Sequence, residues 1–200
     1  MDRIALDTRA FRYIPNGITV LRLILVLPIA FSIVEESYVT AFLLFAISGF
    51  SDGLDGLIAR RFGWVSAFGK LMDPVADKLM MMTTVLTLGL LGHFPVMLMV
   101  LIIVKDLTVL GGVFSYTTLA GFPSIQPNFP GKCTTAAQIF LLASVLLNLG
   151  FPGAFSGTLP ELFFNVSFWI VAIMTAFDGV IYLWLWTQRL VDDPRWKESI

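Results

Sequence analysis

Four aspartates, Asp52, Asp55, Asp73 and Asp77, fall within a short segment of an otherwise apolar chain, SDGLDGLIARRFGWVSAFGKLMDPVADK over residues 51 to 78. Asp52, Asp55, Gly56, Ala59 and Arg60 follow at i, i+3, i+4, i+7 and i+8, so on a helix they form one stripe. Gly69, Asp73 and Asp77, at i, i+4 and i+8, form a second. If both stripes face one cavity, the carboxylates repel one another in a medium of low dielectric unless cations neutralise them. An all-oxygen donor set without His or Cys selects hard ions such as Mg²⁺ or Mn²⁺. The arrangement suits two ions about 3.5 to 4 Å apart, clamping an in-line phosphoryl displacement. Gly53, Gly56 and Gly69 weaken helices unless a ligand must approach the backbone closely, as a nucleotide would. The competing reading is an ion pathway, or buried carboxylates paired with Arg60, Arg61, Lys70 and Lys78.

The elements that must position these stripes are membrane helices. The chain is 57% hydrophobic and 14% charged, which excludes an ordinary soluble domain. Its 200 residues suffice for about six spans of roughly 20 residues each. The apolar runs predict spans at 15 to 34, 38 to 60, 69 to 92, 94 to 117, 132 to 150 and 160 to 188, all within a single membrane domain over residues 1 to 200. Residues 1 to 13 place Ile4, Thr8 and Phe11 on one helical face with Arg3, Arg9 and Arg12 nearby, a pattern for a short interfacial juxtamembrane helix. No cleavable signal is expected, and the single cysteine, Cys133, offers no internal disulfide.

Lys and Arg avoid the turns near 35 to 37, 93 and 150 to 160, and gather at the N-terminus, the second and fourth connections and the tail. The positive-inside rule then puts both termini and the aspartates on the cytoplasmic side of a cell inner membrane or an organelle inner membrane. Pro123, Pro127 and Pro130 predict an ordered loop between the fourth and fifth spans, and Tyr182, Trp184 and Trp186 an aromatic belt.

The pattern D52-x2-D55-G56-x2-A59-R60-x8-G69-x3-D73-x3-D77 resembles, at every fixed position, the signature of the CDP-alcohol phosphotransferases. The resemblance implies an all-α membrane fold of six transmembrane helices, a homodimer, and attack of an alcohol hydroxyl on the β-phosphorus of a CDP-linked donor with release of CMP. It implies that Asp52, Asp55, Asp73 and Asp77 hold two ions, Mg²⁺ or Mn²⁺, and that Asp77 is also the general base. Gly56, Ala59, Arg60, Ser66 and Gly69 match positions that bind the CDP donor. In IPNGITVLR, Asn16, Thr19 and Arg22 share a helix face. This segment resembles members that use CDP-diacylglycerol, so Asn16 and Thr19 are expected donor contacts, membrane lipids are expected partners and nucleic acid is not.

The acceptor is expected to be a glycerophosphate-type alcohol. Members that take glycerol 3-phosphate typically carry Arg-Glu in span four, a further Arg about two turns later, and G-K-x-K-T at span five. Here Lys105-Asp106, Val113 and Gly131-Lys132-Cys133-Thr134-Thr135 stand instead. Lys105 and Lys132 remain as candidate acceptor-phosphate ligands, a reduced cationic set that favours phosphatidylglycerol, with glycerol 3-phosphate as the alternative. Other classes consistent with Asp-rich helices are a membrane prenyltransferase and a cation transporter, the latter expected to hold its site near the midplane.

Overall fold

The computed structural model describes residues 14–62, 67–120, 129–153 and 157–192, with side chains described outside 14–16, 52–62, 67–71, 113–120, 159, 186 and 189–192. The proposed interfacial helix at 1–13, Ser66, Pro123 and Pro127 lie outside the described residues. The described residues form six helices: α1 (Ile14–Val34), α2 (Tyr38–Phe62), α3 (Ala67–Leu90), α4 (Val96–Ala120), α5 (Phe129–Gly150) and α6 (Thr158–Asp192). α1 packs on α2 and α3, α2 on α5, α5 on α6, α6 on α4, and α4 returns to α3, closing a ring across which α3 also meets α5.

The boundaries agree with the apolar runs to within a few residues, with one informative exception. α5 begins at Phe129, so Pro130 lies in a helix rather than in the expected loop. Proline is tolerated in a first turn, where its missing N–H has no intrahelical partner to lose. Pro74 in α3 is different: being well inside the helix, it removes the amide that would bond the carbonyl four residues earlier.

Every helix changes character at a common level. α1 buries Thr19 and Arg22 before Ile29 and Ile33; α2 buries Ala41 and Phe45 before Ser48; α3 carries Asp73 and Asp77 before the buried Met81, Val85 and Leu88. α4 buries Leu98 and Ile102 before Lys105 and Asp106, α5 Thr134 and Gln138 before Leu141 and Val145, and α6 Val171 before Thr175 and Asp178. Alternating chain direction brings these switches into register. One half of the interior is therefore a continuous apolar core and the other half is polar.

The exterior is apolar. Leu27, Phe50, Leu90, Met97, Phe140, Trp169 and Ile173 are all exposed, spread over the six helices, a surface suited to hydrocarbon rather than water. Gly17–Val34, Phe129–Gly150 and Pro160–Leu185 are each long and apolar enough to cross a membrane. Trp184 is exposed as a belt residue would be, whereas Tyr182 is half-buried and donates to the Val109 carbonyl at 3.4 Å, tying α6 to α4.

Two turns at the apolar end share one geometry. After α3, His93 N–H donates to the Leu88 carbonyl and Gly92 N–H to that of Gly89, with Gly92 at φ +79°, the doubly bonded left-handed cap. After α1, Ser37 N–H donates to Ser32 and Glu36 N–H to Ile33, but the left-handed residue is Glu36 at φ 58°. Tyr38 Oη lies 2.9 Å from His93 Nε2, linking the two turns. A side chain in the left-handed region costs about 1 to 2 kcal/mol. Glu36→Gly should therefore raise the thermal midpoint in detergent and Glu36→Val lower it. Equal midpoints for all three proteins would show that the turn adopts another conformation.

Candidate active site

The polar half of the bundle is assembled from the starts of α1, α3 and α5 and the later parts of α2, α4 and α6. α2 carries Asp52, Asp55, Gly56, Ala59 and Arg60 near its C-terminal end, and α3 carries Gly69, Asp73 and Asp77 near its start. The side chains of Asp52, Asp55, Ala59 and Arg60 lie outside the described residues, as does that of Asn16 in the first turn of α1. The helical stripes are nevertheless intact, because the backbone is helical through each of these positions.

α1 supplies the best-defined contact to the aspartates. Thr19, fully buried, donates its hydroxyl to Asp73 Oδ1 at 2.5 Å. A hydrogen bond from a hydroxyl to a carboxylate is charge-assisted and holds that oxygen in place. Arg22, one turn further along α1, is also buried at 1% exposure. An arginine so enclosed means that the interior next to the first span is strongly polar.

On α3, Asp77 lies about 40° around the helix from Asp73, and Lys78 a further 100° or so. Lys78 therefore leaves the aspartate stripe. Its Nζ reaches Asp106 Oδ1 of α4 at 3.1 Å, so this lysine, one of the cations that could have neutralised the aspartates, is drawn to another carboxylate. Lys105 Nζ lies 2.8 Å from the same oxygen of Asp106 and 3.7 Å from Asp178 Oδ2 of α6. Two ammonium groups and two carboxylates from three helices thus form one charge-balanced, largely buried quartet.

The two lysines singled out for the acceptor differ in setting. Lys105 is buried at 6% exposure and belongs to the quartet, whereas Lys132 is exposed in the first turn of α5. Between them, Gly131 abuts Asp178 so closely that an added Cβ would lie 3.1 Å from Oδ1. Thr134, where a second lysine would complete G-K-x-K-T, is buried; its hydroxyl donates to the Pro130 carbonyl at 3.1 Å and lies 3.4 Å from that of Met174 on α6. Gln138 Nε2 donates to Thr175 Oγ1 at 2.9 Å. The α5–α6 seam is accordingly closed by neutral hydrogen bonds.

The sequence model of the family described as CDP-alcohol phosphatidyltransferase matches residues 12–183. The chain belongs to that family. Among relatives, it is 31% identical over 168 residues to a Drosophila melanogaster protein named probable cardiolipin synthase (CMP-forming), covering 76% of this chain and 51% of that one. It is 30% identical over 189 residues to the chloroplastic CDP-diacylglycerol–glycerol-3-phosphate 3-phosphatidyltransferase 1 of Oryza sativa subsp. japonica, covering 86% and 56%. A Rickettsia felis CDP-diacylglycerol–glycerol-3-phosphate 3-phosphatidyltransferase is 29% identical over 182 residues, covering 87% and 95%. The chain thus spans about half the length of the first two relatives.

The quartet makes a stability prediction for this family member. Asp106→Ala takes the carboxylate from Lys78 and leaves buried Lys105 with only the longer contact to Asp178, and breaking a buried pair in this way costs about 3 to 5 kcal/mol. The double substitution Lys78→Met with Asp106→Leu removes one charge of each sign and should recover most of the loss. Thermal unfolding in detergent checks both. A midpoint for Asp106→Ala equal to that of the parent would mean that the quartet is solvated.

Proposed function

We propose that this protein is a phosphatidyltransferase that moves the phosphatidyl group of CDP-diacylglycerol to a glycerol hydroxyl and releases CMP. The observation that carries the reading is the Thr19–Asp73 hydrogen bond. It joins a segment resembling a donor-binding stretch to the signature aspartates, on a helix whose next turn carries Asp77.

The site fits divalent ions. The signature donors are all carboxylate oxygens, and Asp73 is oriented by the Thr19 hydroxyl as outer partners orient metal ligands. Asp52, Asp55, Asp73 and Asp77 would hold two Mg²⁺ or Mn²⁺ ions, which when bound neutralise the diphosphate and polarise its phosphorus. The residues of the chain do the rest. Asn16, Thr19, Gly56, Ala59, Arg60, Ser66 and Gly69 bind the CDP part. The acceptor hydroxyl oxygen forms a bond to the β-phosphorus as the bond from that phosphorus to the bridging oxygen breaks. The hydroxyl proton passes to Asp77 and CMP leaves with the bridging oxygen.

For the acceptor we favour phosphatidylglycerol. The charge of Lys105 is already shared by two carboxylates, and Thr134 is turned into the α5–α6 seam, so the fixed positive charge suits a singly charged phosphodiester. A cavity of about 260 Å³ between α4 and α6, lined by Val104, Lys105, Thr108, Val180 and Leu183, has exposed apolar rim residues where a lipid tail could enter from the bilayer. Glycerol 3-phosphate is the second reading, favoured by the Rickettsia relative that this chain covers almost end to end. In this account all six helices span an inner membrane, with both termini and the aspartates on the cytoplasmic side, and the protein works as a homodimer. The helices contain 21 to 35 residues, enough at about 1.5 Å per residue to cross a hydrocarbon core of about 30 Å.

Purified protein given phosphatidylglycerol and glycerol 3-phosphate in parallel should form cardiolipin in preference to phosphatidylglycerophosphate; the reverse preference would establish the second reading. Asp77→Asn keeps the shape but cannot accept the proton, so CMP release should fall by about 100-fold or more while CDP-diacylglycerol still binds. Turnover near the parent value at neutral pH would remove Asp77 from the role of base.

A further inference from the structure

Asp178 belongs to no motif that the sequence offered. It stands alone on the inward face of an apolar stretch of α6, 7% exposed. Its carboxylate meets the Lys105 ammonium at 3.7 Å and the close flank of Gly131 in the first turn of α5, the residue before Lys132. The Lys105–Asp178 arm is longer than the Lys105–Asp106 arm, 3.7 Å against 2.8 Å. The looser partner is the one that faces the start of α5, where the second acceptor-phosphate candidate stands. The tighter one, Asp106, is fully buried and is also held by Lys78.

We propose that Asp178 is a specificity-determining residue for the acceptor, a built-in counter-ion that an incoming phosphate must displace from Lys105. This inference rests on the reading of Lys105 as an acceptor-phosphate ligand. With Asp178 ionised the quartet is neutral, and its carboxylate repels whatever anion approaches Lys105. Because Coulomb repulsion is proportional to charge, a dianionic phosphomonoester is opposed about twice as strongly as a monoanionic phosphodiester at the same place. Asp178 therefore discriminates against soluble phosphomonoester acceptors and leaves lipid phosphodiesters comparatively favoured. The neutral Thr134 next to it acts in the same direction, since it withholds the cation that would offset the repulsion.

The test compares kcat and KM for glycerol 3-phosphate and for phosphatidylglycerol in the parent, Asp178→Asn, Asp178→Glu and Lys105→Met proteins, each reconstituted in lipid with saturating CDP-diacylglycerol, and the donor KM in a second series with the acceptor saturating. Asp178→Asn makes the quartet net positive and should lower the KM for glycerol 3-phosphate by about fivefold or more, that for phosphatidylglycerol by a smaller factor, and the donor KM by less than about twofold. Asp178→Glu, which retains the charge, should keep the parent's ratio of kcat/KM between the acceptors. Should Asp178→Asn fail to accumulate, Asp178→Ser is read in the same way. A merely structural role would reduce kcat for both acceptors alike and leave the ratio unmoved, which overturns the proposal. An unchanged KM for both acceptors in Lys105→Met would overturn the ligand reading on which it rests, whereas absence of CMP release from the parent with either acceptor would remove the proposed function itself.

Discussion

A charge enclosed by a bundle whose outside is hydrocarbon-compatible must be neutralised inside that bundle. Neither bulk water nor a lipid tail can do it, and each unmatched ion costs several kcal/mol. The arrangement of the polar half follows from this constraint. Lys78, Lys105, Asp106 and Asp178 neutralise one another across α3, α4 and α6, and Thr19 holds Asp73 from α1. Because Lys78 follows Asp77 directly, its pairing with Asp106 also sets the rotation of α3 about its own axis. The same helix presents Asp73 to Thr19 of α1.

The division of the interior into two halves gives the site its rigidity. Ile29, Ile33, Phe45, Met81, Val85, Leu88, Leu98, Ile102 and Leu142 interlock in the apolar half, where no hydrogen bond needs to be kept. The helices enter the polar half already fixed in spacing. Functional groups can then sit at helix ends without having to hold the bundle together. Positive charge is distributed across this half, with Lys105 buried and Lys132 exposed.

Much of this was legible in the residues. Long apolar runs have one stable answer in a bilayer, so the six helices emerge close to their expected bounds, and the aspartate stripes follow from helical periodicity alone. The stripes could be read because their residues lie close together in sequence on two successive helices. The quartet could not, because Lys78, Lys105 and Asp178 are brought together only by the order in which helices pack, and α6 reaches α4 without being next to it in the chain. A signal existed in Asp178, an ionisable residue within an apolar stretch, which in membrane helices marks a partner or a site. Pro130 misled for a local reason, since a proline breaks a helix interior but opens a helix well.

The central claim is that the aspartates support divalent-ion-dependent cleavage of a CDP-linked lipid. The most direct measurement is CMP formed per molecule of acceptor consumed, by purified protein in vesicles containing CDP-diacylglycerol and phosphatidylglycerol, after chelation and again after Mg²⁺ or Mn²⁺ is restored. The account predicts no CMP with chelator present, and, with the ion restored, equimolar CMP and cardiolipin. CMP release that persists through chelation, or restored ions that yield no CMP with phosphatidylglycerol or with glycerol 3-phosphate, would contradict it.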